Sequence, residues 1–145
     1  MASLDWARLR VLVVDDNAYF RKVVRTVLTA VGVTRVAEAA DADEAMRLLR
    51  AGSRDLILVD YVMSPVDGLT FTRRVRDPAT SPAPRVPIVL VSGHISPPEV
   101  QEALNVGVDA VVGKPISARV LLREIKRTLT DSGDPDGEGA GGGGS

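Results

Sequence analysis

Five short apolar runs alternate along the chain with stretches in which apolar residues recur every three to four positions. The runs are Val11-Leu12-Val13-Val14, a short one at about 35–39, Asp55-Leu56-Ile57-Leu58-Val59, Pro87-Ile88-Val89-Leu90-Val91 and Asp109-Ala110-Val111-Val112-Gly113. They are short and rich in β-branched residues, so they read as strands. They are nearly continuous rather than alternating, the pattern of parallel strands covered on both faces. Between the first two, Phe20, Val23, Val24, Val27, Leu28 and Val31 fall on one helical face, and Gly32 stands where a C-terminal cap is expected. Asp41, three residues before Glu44, opens a second helix in the manner of a capping box. That helix buries Ala45, Leu48 and Leu49 and stops at Gly52.

The second half continues the alternation. After Asp67-Gly68 a helix uses Leu69, Thr72 and Val75, and the proline-rich stretch 77–87 cannot prolong it. Ser96-Pro97-Pro98-Glu99 has an N-cap, first-turn prolines and an acid near the positive end of the dipole. The helix it opens ends at Gly107. Ser117 caps a last helix with Val120, Leu121, Ile125 and Leu129. Five β-α units in succession imply an α/β layer fold with right-handed crossovers. The expected organisation is a lead-in at 1–9, one domain at 10–130 and a tail at 131–145.

The tail changes the charge picture. The 145 residues carry net charge −1, but the tail holds four acids, no base and seven of the 13 glycines. The rest of the chain is therefore +3. Such a tail cannot bury apolar surface and is expected to be disordered, and its final Gly-Gly-Gly-Gly-Ser resembles a flexible linker. There is no cysteine, which removes thiol chemistry, cysteine metal sites and disulfides, and suits a cytoplasmic setting. Neither a basic, apolar leader nor a membrane-length run is present, and no strong field argues for nucleic acid or lipid.

The candidate chemistry lies at the carboxyl ends of the strands, where open α/β sheets bind ligands. Asp15-Asp16 follow the first run, Asp60 the third, Ser92 the fourth and Lys114 the fifth. Singly, these are a helix N-cap pair, a turn acid, a strand terminator and a solvated loop lysine. Together they place three carboxylates, a hydroxyl and an ammonium at one end of one sheet. Adjacent carboxylates repel unless a cation lies between them, and Mg²⁺ takes one or two carboxylates with waters and phosphate oxygens. Phosphoryl transfer needs charge neutralisation and positioning more than elaborate acid–base chemistry. Asp60 can attack a phosphoryl donor, Lys114 can neutralise phosphoryl oxygens and Ser92 can donate to one. The pattern predicts a Mg²⁺-assisted aspartyl-phosphorylation site.

From about residue 10 to 129 the chain resembles a response-regulator receiver domain, the acceptor half of bacterial-type two-component phosphorelays. Val-Leu-Val-Val-Asp15-Asp16-Asn17, Leu-Ile-Leu-Val-Asp60-Tyr-Val-Met, Val66-Asp67-Gly68-Leu69, Ser92-Gly93 and Lys114-Pro115 carry the resemblance, in order and with similar spacing. It implies a doubly wound, flavodoxin-like five-stranded parallel sheet of order 2-1-3-4-5, with two helices on one face and three on the other. It implies that Asp60 takes a phosphoryl group from a histidine kinase or phosphotransfer protein. Asp15, Asp16, Asp60 and the Val62 backbone carbonyl would bind Mg²⁺, and Ser92 and Lys114 would contact the phosphoryl group. The proline after Lys114 is typically cis. Such a protein is not an enzyme beyond its own phosphoryl transfer and slow dephosphorylation.

The chain departs from that pattern in places. Val111 stands where an aromatic residue is common, and Pro65 comes one position late. Val62 and His94 occupy positions that tune dephosphorylation, and His94, the only histidine, reads as a loop residue beside the site. The output is expected to be a protein contact or relay by a stand-alone, monomeric or weakly dimeric receiver. Its output face would be the 96–107 helix, the fifth strand and the last helix, with Glu99, Glu102, Ala103, Val111, Arg119 and Arg123 as candidates. Two other classes share parts of the pattern. A receiver-fold scaffold would bind partners without phosphoryl turnover. A Mg²⁺-dependent aspartyl phosphatase or phosphotransferase would need an insertion to enclose its substrate, and its first acids would be spaced by one residue.

Overall fold

Each apolar run forms a strand, and its side chains alternate between two cores. The computed structural model describes residues 4–131. Strands β1 (Arg10–Val14), β2 (Arg35–Ala39), β3 (Leu56–Asp60), β4 (Ile88–Ser92) and β5 (Ala110–Gly113) form one parallel sheet in the order β2-β1-β3-β4-β5. The register pairs Val14 with Ala39 and Val59, Asp60 with Val91 and Ser92 with Gly113, so the chemistry-bearing strand ends are level. Helices α1 (Ala18–Ala30), α2 (Ala42–Ala51), α3 (Gly68–Arg76), α4 (Pro97–Val106) and α5 (Ala118–Asp131) connect and follow them. This is the expected flavodoxin-like doubly wound sheet.

The period-2 alternation of a strand sends neighbours to opposite faces. Leu12, Val14, Ile57, Val59, Ile88 and Leu90 meet α2, α3 and α4 through Ala45, Met46, Leu49, Phe71, Val75 and Ala103. Val11, Val13, Leu56, Leu58, Val89 and Val112 meet α1 and α5 through Val24, Leu28, Leu121 and Ile125. The central strands β3 and β4 are buried along their whole length. Among the described residues no helix is long and apolar enough to cross a membrane.

The caps expected at Asp41, Ser96 and Ser117 form, the first in altered shape. Asp41 accepts from the Glu44 N–H at 2.8 Å, although the Glu44 carboxylate reaches back to Ala40 rather than closing the box on Asp41. Ser96 and Glu99 form a complete capping box, and Ser117 accepts from the Val120 N–H. Gly32, at φ 104°, ends α1 in a conformation that side chains rarely adopt.

Two expectations need adjustment. Ala103 is buried in the α3–α4 core, so it is not on an exposed output face; Glu102, Arg119 and Arg123 are exposed, and Glu99 and Val111 are half-buried. Leu48 is only half-buried, while Ala42 and Met46 take core positions on α2. Within the lead-in, Trp6–Arg8 form a 3₁₀ turn, Leu9 is buried, and Leu4 and Trp6 pack against the α1–α5 core. The acidic tail expected at 131–145 lies, beyond Asp131, outside the described residues.

Candidate functional site

The β1 ladder ends at Val14, and the chain turns immediately. The Asp15 N–H still reaches the Ala39 carbonyl at 3.1 Å. Asn17, not the acid pair, is the N-cap of α1 and accepts from the Phe20 N–H at 3.1 Å. That frees both acids from capping. The Asn17 N–H instead binds one Asp15 carboxylate oxygen, Oδ1, at 2.9 Å. The other, Oδ2, is buried without a hydrogen-bond partner. Asp15 is 1% exposed, and burial, the largest influence, pushes its pKa up to about 6. The Asn17 N–H opposes that rise, the Asp60 charge adds to it, and Lys114 opposes it.

Asp60 is the last residue of β3 and is buried. The Lys114 ammonium, just past β5, lies 2.8 Å from its Oδ1 and 3.9 Å from Asp15 Oδ2. The same ammonium sits 4.2 Å from the centroid of the Phe20 ring, a cation–π contact that holds the lysine over the site. The Lys114 N–H binds the Ser92 carbonyl at 2.9 Å, so the β4 and β5 ends are tied together. The peptide bonds before Pro115 and Pro65 are both cis.

The expected convergence is partial. Asp15, Asp60 and Lys114 meet. Asp16 is exposed, and its Oδ2 accepts from the Ser64 N–H at 3.2 Å, which ties the β1 end to the loop after β3. The Ser92 hydroxyl turns to its own loop, donating to the His94 carbonyl at 2.9 Å and accepting from the His94 N–H at 3.1 Å. His94 itself is exposed, and the Val62 side chain stands 68% exposed beside the site. Among the described residues no three His, Cys, Asp or Glu side chains close into a metal cage as they stand. The fit to a hard cation is instead that of an open site. One Asp15 carboxylate oxygen lacks a hydrogen-bond partner and lies 3.9 Å from the ammonium that also reaches Asp60, with Asp16 exposed, and Mg²⁺ characteristically keeps several waters.

The sequence does not show what several supporting residues do. Gly68 belongs to a motif that carries the resemblance, but its role emerges only here: a Cβ there would lie 2.5 Å from the Asp60 carbonyl oxygen and 2.9 Å from Leu90 Cδ1. The α3 N-terminus can approach Asp60 only because residue 68 has no side chain. Phe20 reads as an ordinary core residue of an amphipathic helix. Arg21 reads as a surface charge, yet its guanidinium donates to the Asp15 main-chain carbonyl at 2.6 Å. Only its place six residues after Asp15 hints at this.

Known proteins share this architecture. The model of the response regulator receiver domain family matches residues 11–126. The chemotaxis protein CheY of Pseudomonas aeruginosa is 30% identical over 119 residues, covering 82% of this chain and 94% of that protein. The histidine kinase CKI1 of Arabidopsis thaliana is 36% identical over 132 residues, 81% of this chain but only 12% of the kinase. The solved structure of Vibrio cholerae CheY4 superposes with a TM-score of 0.76 at 30% identity, covering 83% of this chain and 98% of that one. Strand order, level strand ends and matched sequence agree: the chain belongs to the response regulator receiver domain family, the receiver module of two-component signalling.

Proposed function

We propose that the chain is a phosphorylation-dependent signalling switch whose acceptor is Asp60. The observation that carries this reading is the Lys114 ammonium at 2.8 Å from Asp60 Oδ1 and 3.9 Å from Asp15 Oδ2, an oxygen with no hydrogen-bond partner. A buried carboxylate already matched with a cation is positioned to receive a phosphoryl group whose oxygens that cation can follow. An Asp60 oxygen attacks phosphorus in a phosphohistidine of a histidine kinase or phosphotransfer protein. The P–N bond breaks, its electron pair stays on the imidazole nitrogen, and an acyl phosphate forms on Asp60. Lys114 shifts from carboxylate to phosphoryl oxygen. Asp15, Asp16, Asp60 and the Val62 carbonyl are the groups that would hold Mg²⁺, which when bound neutralises phosphoryl oxygens.

Ser92 must leave the His94 turn to donate to the phosphoryl group, and that rearranges the loop before α4. The α4–β5–α5 surface, with Glu102, Arg119 and Arg123 exposed, is the face this movement reaches. Its output is a protein contact or onward relay. A partner that prefers the phosphorylated form favours phosphorylation in return. On this reading the chain is not an enzyme for other substrates, and it works in the cytoplasm.

The test is intact mass after incubation with MgCl₂ and acetyl phosphate, on wild type and Asp60→Asn. One acid-labile phosphoryl group on wild type, absent in Asp60→Asn and after chelation, supports the proposal. No gain from acetyl phosphate or a phosphohistidine donor, with no binding of beryllofluoride, would leave a partner-binding scaffold in its place.

A further inference from the structure

We infer that Arg21 is a positioning residue for the acid pair, held on station by Glu38 of the edge strand. The inference rests on the reading of Asp15 and Asp16 as cation ligands. Beyond Val14 the Asp15 carbonyl has left the β-ladder, yet its residue is buried, so the carbonyl needs a donor. Arg21 supplies it at 2.6 Å from α1. The same guanidinium donates from Nε to Glu38 at 3.0 Å. Glu38 pairs with Val13 in the parallel register, so both side chains project to the face that α1 covers.

Arg25, one helical turn after Arg21, donates to the second Glu38 oxygen at 2.8 Å and to the Val36 carbonyl at 3.0 Å. The two arginines thus clamp one carboxylate, but only Arg21 touches the acid pair. The Arg21 guanidinium is mostly buried, with 17% of the side chain exposed against 43% for Arg25. With the main chain held by Arg21 and Oδ1 held by the Asn17 N–H, Asp15 Oδ2 lies 3.9 Å from the Lys114 ammonium that also binds Asp60. A rigid fork that serves two acceptors at once is a property of guanidinium that an ammonium lacks.

The pair Arg21 and Arg25 provides its own control, since both lose an ion pair to Glu38 when truncated. MgCl₂ is titrated into unphosphorylated wild type, Arg21→Ala and Arg25→Ala, and Kd is read from the backbone amide shifts of Asn17 and Ser64. Groups that orient metal ligands change affinity on the order of 10-fold or more when removed. We expect a rise of that size for Arg21→Ala and under about twofold for Arg25→Ala, which touches no ligand. Arg21→Lys, whose compact ammonium lacks the planar fork that spans the Asp15 carbonyl and Glu38, should still weaken binding by about threefold or more, and it decides the matter if Arg21→Ala does not fold. Equal weakening by Arg21→Ala and Arg25→Ala, or wild-type affinity in Arg21→Lys, overturns the inference alone. No Mg²⁺ response in wild type overturns the cation-site reading and the inference with it.

Discussion

Asp15→Asn should stabilise the Mg²⁺-free protein at neutral pH. Folding buries the Asp15 carboxyl and raises its pKa from the ordinary 3.8 to about 6. A raised carboxyl pKa means that the folded state resists the charged form. The cost is absent below pH 3.8, where the group is protonated in both states. It grows as the pH rises from 3.8 towards 6 and is constant above. At 1.36 kcal/mol per pH unit that interval corresponds to about 3 kcal/mol at pH 7.5. Asparagine keeps an oxygen for the Asn17 N–H and carries no charge, so it escapes most of this cost. The assay is urea unfolding of both proteins with EDTA at pH 4 and pH 7.5, followed by circular dichroism. Glu38 and Asp55, held below the usual carboxylate range by Arg25 with Arg21 and by Arg10, keep their stabilising contribution at neutral pH and lose it on acidification. They do so in both proteins alike, so the difference between the two isolates Asp15. We expect a difference near zero at pH 4 and about 2–3 kcal/mol in favour of asparagine at pH 7.5. Mg²⁺ at ten times its Kd should then stabilise wild type by about 1.4 kcal/mol and leave the variant unmoved. A difference that does not change with pH, or a variant less stable than wild type at pH 7.5, would refute the electrostatic account.

Three further outcomes follow from particular contacts. Lys114→Met leaves the buried carboxylates of Asp15 and Asp60 without their neutralising ammonium; it should cost about 1–3 kcal/mol in EDTA, discounted for the part-exposed lysine, and the loss should shrink on adding Mg²⁺. Thermal melts with and without MgCl₂ check this. Gly68→Ala sets a Cβ against the Asp60 backbone and should cost about 1–3 kcal/mol while slowing phosphoryl gain, as urea midpoints and intact mass will read. Arg76→Ala removes the donors that serve the carbonyls of Pro84, Val86 and Gly107 and the Asp109 carboxylate; urea unfolding should show a loss of about 2–4 kcal/mol, with phosphoryl gain from acetyl phosphate unchanged in the folded fraction.

The alternation of elements, several of their caps and the four chemistry-bearing strand ends are legible in the sequence, whereas the Asn17 cap of α1 is not. Each rests on local physics: the period of apolar residues, the φ that glycine permits, the side-chain oxygens that cap helices. The level placement of Asp15, Asp60, Ser92 and Lys114 follows from parallel strands that end together, so it too could be anticipated. The strand order could not be had from periodicity and came through resemblance, because a βαβ pattern leaves open which edge each new strand joins.

What the tertiary structure decided is which partner each polar group takes. Arg21, Arg25 and Glu38 are separated by up to 17 residues, and Arg76 reaches Asp109 across 33. Nothing local distinguishes them from solvated charges. Ala103 reads as an output-face residue and is core, since helix rotation is fixed by α3–α4 packing. Asp16 turns to Ser64, and Ser92 turns to His94, so the rotamers of the site are set by neighbouring loops rather than by position at a strand end. Sequence determines where the reactive groups come together, because backbone periodicity carries them there. Packing across the two faces of the sheet determines which of them touch, because hydrogen bonds and ion pairs depend on ångström-scale distances between elements remote in the chain.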